Sequence, residues 1–514
     1  MDVNKNSVEF RGPGTVQKTF ILLLCILFSF IIYLPVVNRQ FVSDDFKILD
    51  RVCRQHIFFI KGFFRPLSDI TIYLNFKIGG LNPGVFNSFG ILIHGINCFL
   101  LYIFCQHFSA NASPRNKNPF SILSSLLFLC YPFHNEAIVW LLGRGASIAC
   151  MFALLSLIAF YQVKPIQLKR ILTGICYFFS LAAYESTLLF PLIFILLLIY
   201  ENHSAKSIRT WGFVLFMTLL THIFVRFWIS GSLTGSYGED FLQMKAMGYL
   251  FNILRVAVRL ALPPIKNVLL PAAVILVVFI GISIVIYHNL RRTGQFVVGR
   301  TTRFLLGSLI VSCIIPFLTG VSIQTSESDR MLYFPSVFVC LIVAYLIIYK
   351  MKNNWLQWFS TISLFIYFLF FLEINNSHWK KASELTSYVL GKMNDVTRSD
   401  KKDRIFFLNI PEELEGAYVF RQGFSSALKL YGYDSSRFAV VNYLSRKESE
   451  NPKNSAIAAV SDTIVVSSRV KLIKLKEPGC NQIFVDGQNK YSLHPDDHIY
   501  YWNSKSFDSL NACW

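Results

Sequence analysis

Two adjacent carboxylates, Asp44 and Asp45, stand in the run Phe41-Val42-Ser43-Asp44-Asp45-Phe46, just past the first apolar segment. Neighbouring carboxylates raise one another's pKa, which suits one of them to accept a proton near neutral pH. A general base of this kind contributes about 10²–10⁴-fold to a reaction. The bland alternative is a helix cap or a solvated loop pair. Further polar clusters interrupt apolar sequence downstream. Phe64-Arg65-Pro66-Leu67 offers a planar guanidinium fork that suits phosphate. In Leu92-Ile93-His94-Gly95-Ile96-Asn97, His94 is either a catalytic group or a hydrogen-bonded packing residue. Tyr131 to Glu136 brings His134 and Glu136, followed closely by Gly143-Arg144. In Tyr184-Glu185-Ser186, Glu185 either lines a site or pairs with an arginine. In Asp329-Arg330-Met331-Leu332-Tyr333-Phe334-Pro335, Arg330 beside Tyr333 would serve a lipid phosphate through charge-assisted bonds.

These groups must be positioned by membrane helices. The chain has 514 residues, 54% apolar, 16% aromatic and 15% charged, with a mean hydropathy of +0.47. That composition excludes a soluble globular protein. With about 20 apolar residues needed per crossing, the pattern predicts about eleven spans: 19–37, 86–107, 119–133, 145–161, 171–184, 187–200, 211–229, 267–288, 304–320, 331–349 and 355–373. The first lacks a small-x-small cleavage site and reads as a retained helix. The stretch 248–264, broken by Arg255 and Arg259, reads as an interfacial amphipathic helix.

Lysines and arginines in alternate short loops form one set: Lys5, Arg11 and Lys18; Arg115 and Lys117; Lys164, Lys169 and Arg170; Lys206 and Arg209; Arg291, Arg292, Arg300 and Arg303; Lys350 and Lys352. The positive-inside rule makes this set cytoplasmic. All the polar clusters then fall on the outer face. The outer loop 38–85 is long and basic, which an anionic substrate would explain, and Val52–Phe64 and Leu67–Ile78 within it read as interfacial helices. The net charge of +19 follows from basic inner loops, and no basic face with interleaved aromatics marks a nucleic-acid binder.

After Phe371 the composition turns polar. Residues 1–375 form the membrane domain, and 376–514 an external α+β domain. Ile405–Ile410, Phe438–Tyr443, Asp462–Val470, Gln482–Val485 and His498–Trp502 read as strands, Ala417–Tyr431 as a helix, and Asp486-Gly487 as a tight turn. Its aromatics (Tyr418, Phe420, Tyr431, Tyr433, Tyr500, Tyr501, Trp502) could stack on sugars or fill a core. Cys480 and Cys513 could pair in an oxidising compartment; no cysteine–histidine cluster has zinc spacing.

Taken in order, Ser43-Asp44-Asp45, the Arg65, His94, His134–Glu136, Arg144 and Glu185 motifs, and Asp329 to Pro335 resemble polytopic GT-C glycosyltransferases. They are most similar to the transmembrane O-mannosyltransferase group with tetratricopeptide repeats and its bacterial relatives. The resemblance covers roughly residues 20–350. It implies a GT-C-like fold, a polyprenyl- or dolichyl-phosphate-linked sugar donor, and inverting transfer to a protein, lipid or glycan acceptor. It also implies a bacterial inner membrane with a periplasmic site, or the endoplasmic reticulum membrane in a eukaryote. Carried over, Asp44 is the base and Asp45 orients it or the acceptor. Arg144, Arg330 and Arg65, with Tyr333, hold the donor phosphate, while His94, His134, Glu136 and Glu185 shape the site. Nearby acids could hold a divalent cation, although arginines supply the same charge. Two departures stand out: no repeats follow the membrane domain, and Tyr184-Glu185 stands where Lys-Glu is usual. A transporter or lipid flippase with outer carboxylates is the competing class. Such proteins usually show internal repeats and helices broken at the midplane, and here the two halves do not match.

Overall fold

The computed structural model describes residues 14–108, 114–231, 246–264, 299–398, 404–421 and 423–440. Within the remainder it describes 443–444, 458–460, 463–465, 470–473, 482–485, 489–493, 497–503 and 506–511. The expected span 267–288, the Asp486-Gly487 turn, Cys480 and Cys513 lie outside the described residues.

The chain is a polytopic α-helical membrane protein. Among the described residues, seven helical segments are long and apolar enough to cross a bilayer: Thr15–Ile32, Pro83–Phe108, Arg144–Gln162, Ala205–Ser230, Arg300–Thr319, Asp329–Lys350 and Asn354–Asp395. Helices Pro114–Leu129, Ile166–Ala183 and Phe190–Tyr200 occupy three further expected segments. The bundle is lipid-soluble on its outside, where Phe20, Phe213, Phe224, Trp228 and Ile366 are exposed. Small and polar residues face inward, as expected where lipid gives apolar side chains no reason to hide. Ser29 Oγ donates to Ile91 O at 2.9 Å, Ser125 Oγ to Cys98 O at 2.7 Å and Ser180 Oγ to Ala149 O at 2.7 Å. Gly95 lets two helices touch: a Cβ there would sit 2.8 Å from Ile26 Cα.

Two of the expected elements differ. Val52–Phe64 is not a helix: the helical turns that begin at Asp45 end at Arg54, and the chain then runs irregularly to an Ile60–Phe63 bridge. Gly62 in the left-handed region makes that turn. The Leu67–Ile78 helix is present as Pro66–Gly79, started by Pro66 in the first turn and stopped at Gly80. The last membrane helix does not end near residue 373. It continues from Asn354 to Thr397, straight through the expected domain boundary at 375/376, because no proline and only Gly391 interrupts the stretch beyond it. Helix Ala246–Arg259 covers much of the stretch expected to be amphipathic, with Asn252, Val256 and Arg259 buried.

Beyond this helix, strand Ile405–Leu408 pairs in parallel with both His498–Trp502 and Phe438–Val440, and Phe507–Asn511 adds an antiparallel edge. A parallel pair needs a crossover, and helix Phe424–Tyr431 provides it between Leu408 and Phe438. The expected helix is thus half as long, since Ala417–Tyr418 is a strand. Ala458–Val460, Thr463–Val465, Val470–Ile473, Gln482–Val485 and Asn489–Ser492 form a separate antiparallel meander.

Candidate active site

A cavity of about 790 Å³ opens where the membrane bundle meets the segment around strand Ala417–Tyr418. Asp44, Arg65 and Arg330 all line it, with Lys47, Arg51, Asp69, Trp140, Glu327, Tyr418 and Arg421. Its size is that of an ordinary small-ligand site.

The acidic pair is split by its backbone. Ser43 adopts φ +48°, a costly left-handed conformation for a non-glycine residue. Asp44 follows at the start of the turn Asp45–Leu49 and makes no side-chain cap bond there, so the cap alternative fails. Its carboxylate, about a quarter exposed, lies 3.4 Å from Lys47 Nζ. Asp45 is fully buried instead. It accepts the N–H of Val42 at 3.1 Å and of Leu141 at 3.0 Å, and faces Arg39 at 3.8 Å. Burial pushes its carboxyl up to about 6, against the opposing pull of Arg39.

Arg65 is poised by a clamp. Its Nε donates to Glu185 Oε2 at 2.9 Å, its guanidinium lies 4.4 Å from the Tyr184 ring centroid, and Glu185 Oε1 takes Arg226 at 2.9 Å. Glu185 is therefore an arginine partner. Arg330 follows Ser328, another left-handed residue at φ +74°. Its Nε donates to the Tyr184 hydroxyl at 2.9 Å and its guanidinium stacks 5.1 Å from Trp140. Glu136, wholly buried, accepts from both the guanidinium and the backbone N–H of Arg330, the latter at 2.6 Å. Tyr418 adds its hydroxyl at 3.1 Å. Burial raises the Glu136 carboxyl, and Arg330 opposes that rise.

Four sequence candidates lie away from the cavity. Arg144 is buried and spends its guanidinium on Asn75 Oδ1 and Phe86 O, both at 2.6 Å. It ties three helices together through its two terminal nitrogens, while its buried Nε has no acceptor. Tyr333 is fully buried, its hydroxyl 2.7 Å from His94 Nδ1 and 3.1 Å from Asn97 Nδ2. His94 also meets Leu129 O at 3.2 Å, and His134 Nε2 lies 2.7 Å from Ser336 Oγ. These side chains form a polar knot inside the bundle.

Sequence reasoning missed Asp69, Trp140 and Arg421. Asp69 bonds Arg51 at 2.8 Å, and burial lifts its carboxyl to about 6. A signal was present: helix Pro66–Gly79 is inside-out, burying Ser68, Asp69, Ile72 and Asn75 and exposing Ile70, Leu74 and Ile78. Arg421 pairs with Glu327 at 2.8 Å, across 94 residues of sequence that no local pattern bridges. Of the aromatics weighed for stacking, Tyr418, Phe420 and Trp502 are buried, and of the seven Tyr418 alone lines this cavity. Among the described residues, no three His, Cys, Asp or Glu side chains gather to hold a metal. Asp44 faces the cavity beside Lys47, Asp45 turns away and Asp69 is spent on Arg51, so this donor set does not fit a divalent cation.

No model of a known protein family matches the chain. Over 150 residues, 26% of the chain, it is 30% identical to protein O-mannosyl-transferase TMTC2 of Mus musculus. The chain is similar to the protein O-mannosyl-transferases. It is also 31% identical over 111 residues to TMTC4 of Mus musculus and 29% identical over 97 residues to TMTC1 of Homo sapiens, each 19% of the chain. The matches span 17%, 14% and 10% of those relatives, respectively. Among solved structures, ArnT from Cupriavidus metallidurans bound to undecaprenyl phosphate aligns with a TM-score of 0.43 and 10% identity, over 75% of this chain and 73% of that one. That likeness is too loose to build on.

Proposed function

We propose that this chain is an integral-membrane glycosyltransferase. It moves a sugar from a polyprenyl- or dolichyl-phosphate carrier to an acceptor hydroxyl on the extracytoplasmic side, with inversion at the anomeric carbon. One observation carries this: a partly exposed carboxylate, Asp44, shares a cavity with Arg65 and Arg330, each locked in place by a carboxylate and an aromatic ring. The partial likeness to protein O-mannosyl-transferases supports the same chemistry.

In this scheme the acceptor oxygen attacks the anomeric carbon as the bond from that carbon to the phosphate oxygen breaks. Asp44 takes the hydroxyl proton, and the carrier phosphate departs with the electron pair. A phosphate leaving group needs no protonation, so preorganised cations suffice to stabilise it. Arg65 and Arg330 take that role. Asp45 holds the Asp44 turn through Val42 and Leu141. Arg144, Tyr333, His94 and His134 support the bundle, while Glu136 and Glu185 act through the arginines. The basic loops on the alternate side of the bundle support the extracytoplasmic placement.

The test uses purified protein in detergent with a radiolabelled polyprenyl-phosphate sugar. Wild type is expected to transfer the sugar or hydrolyse the donor slowly. Asp44→Asn should lose about 10²-fold or more of that activity while keeping its affinity for the carrier. Undiminished turnover by this variant would remove Asp44 from the mechanism. Movement of the intact donor across a vesicle bilayer without bond cleavage would favour a flippase instead.

A further inference from the structure

The C-terminal domain reaches the cavity through one short segment around strand Ala417–Tyr418. The Gly416 carbonyl accepts the N–H of Ser326 at 3.1 Å and its hydroxyl at 2.6 Å. The Val419 carbonyl accepts the N–H of Ser43 at 2.6 Å. Gly423 lies so close to Ser43 that a Cβ would stand 1.9 Å from the Ser43 carbonyl oxygen. The same segment therefore grips the residue before Asp44 and the turn that leads into Arg330. Between those two grips, the Tyr418 hydroxyl donates to Glu136, the carboxylate that holds Arg330. The Tyr418 ring is itself fixed, 4.8 Å from Trp140 and 5.9 Å from Trp379.

We propose that Tyr418 is a positioning residue for Arg330, so that the C-terminal domain is a structural part of the donor-phosphate seat. This rests on the glycosyltransferase reading above. Glu136 takes three donors, two from Arg330 and one from Tyr418. The two Arg330 donors come from backbone and side chain of one residue, and the Tyr418 hydroxyl adds a hold from another domain. Without it, Glu136 is held by Arg330 alone, and the orientation of the pair rests on the Tyr184 hydroxyl and the Trp140 ring. The lost bond is of the charge-assisted kind, among the stronger ones in proteins.

Tyr418→Phe in the full chain deletes only the hydroxyl and keeps the ring packing. Donor hydrolysis is measured with dolichyl-phosphate mannose, and carrier affinity with undecaprenyl phosphate by thermal stabilisation. The variant should lower kcat/KM for the donor about tenfold, the loss of roughly one charge-assisted hydrogen bond, with a raised donor KM as the ground-state part of that loss. Undecaprenyl phosphate should stabilise it less at equal concentration. Glu415→Gln is the control, because it weakens a separate exposed contact of the domain with Lys381 and His378. It should leave both readouts unchanged. An unchanged KM in Tyr418→Phe, whether or not its melting temperature falls, would overturn the positioning role. So would a fall in kcat at constant KM. If wild type neither hydrolyses the donor nor responds to the carrier phosphate, the glycosyltransferase reading itself falls, and the role of Tyr418 with it.

Discussion

Between pH 4 and pH 7, replacing Asp45 by asparagine should gain stability relative to wild type, even though it removes a buried ion-pair partner. Asp45 is fully buried, and burial pushes its carboxyl from the ordinary 3.8 up to about 6 despite Arg39 at 3.8 Å. The folded chain therefore holds this proton more tightly than the unfolded chain does. Its contribution to stability is complete below about pH 4 and is lost as pH rises through about 6. A rise of that size corresponds to about 3 kcal/mol. The asparagine of Asp45→Asn does not titrate and resembles the protonated acid, with one oxygen left to accept from Leu141 or Val42. The other N–H then faces the amide NH2 and goes unpaired, a cost of about 1–3 kcal/mol that does not vary with pH, so the variant should start below wild type near pH 4 and gain about 3 kcal/mol on it by pH 7. Apparent melting temperatures in detergent at half-unit steps from pH 4 to 7 measure the gap. Asp69, also lifted to about 6 by burial, titrates in both proteins and cancels in the difference. A gap that stays constant over this range, or that favours wild type more at pH 7 than at pH 4, refutes the account of Asp45.

Arg65→Lys keeps the charge but loses the Nε bond to Glu185 and the stacking over Tyr184; kcat/KM for the donor should fall about tenfold, with kcat lowered as well as KM raised, read from steady-state kinetics. Glu185→Gln strips the counter-charge from Arg65 and Arg226 together and should destabilise the protein by about 1–3 kcal/mol, read as a lower unfolding midpoint. Tyr333→Phe leaves His94 and Asn97 short of a partner; stability should fall by about 1–3 kcal/mol while the donor KM stays at the wild-type value, which separates packing from phosphate binding. Arg144→Met removes the tie to Asn75 and Phe86, and should lower the yield of folded protein in size-exclusion profiles without changing the KM of the molecules that fold.

The polar clusters were legible because each breaks an apolar pattern, and a bilayer bundle tolerates such breaks only where they are partnered. Their partners were not legible. Arg144 and Arg330 look alike in sequence, each at the start of an apolar helix. What separates them is that Arg330 meets Trp140 and Glu136 beside the cavity, whereas Arg144 meets Asn75 and a carbonyl in the bundle. The place of Tyr333 was hidden for a related reason. Its nearness to Arg330 in sequence suggested a shared ligand, yet the helix that begins at Tyr333 turns its side chain inward to His94. Helix ends near residues 108, 162 and 230 followed from composition, but the outer loop did not, because Val52–Phe64 has helical composition and is held irregular by tertiary contacts such as Gly62 N–H to Ser230 O at 3.0 Å.

Each cation lining the cavity has a carboxylate partner: Lys47 with Asp44, Arg51 with Asp69, Arg65 with Glu185, Arg330 with Glu136 and Arg421 with Glu327. Burial sorts these pairs into two kinds. Glu136 is wholly buried and Arg330 one-tenth exposed, and separating such a pair costs about 3–5 kcal/mol. Lys47 and Glu327 are nearly half exposed, where an ion pair is worth about 0–1 kcal/mol. An arriving phosphate brings negative charge into a balanced wall, and balance returns at least cost where a rim pair opens. The rim pair on the membrane-domain side is Lys47 with Asp44, so the same electrostatics that admits a phosphate also loosens the cation on the proposed base. The cations at the floor can then keep their geometry while the rim adjusts, which is the division of labour a preorganised site requires.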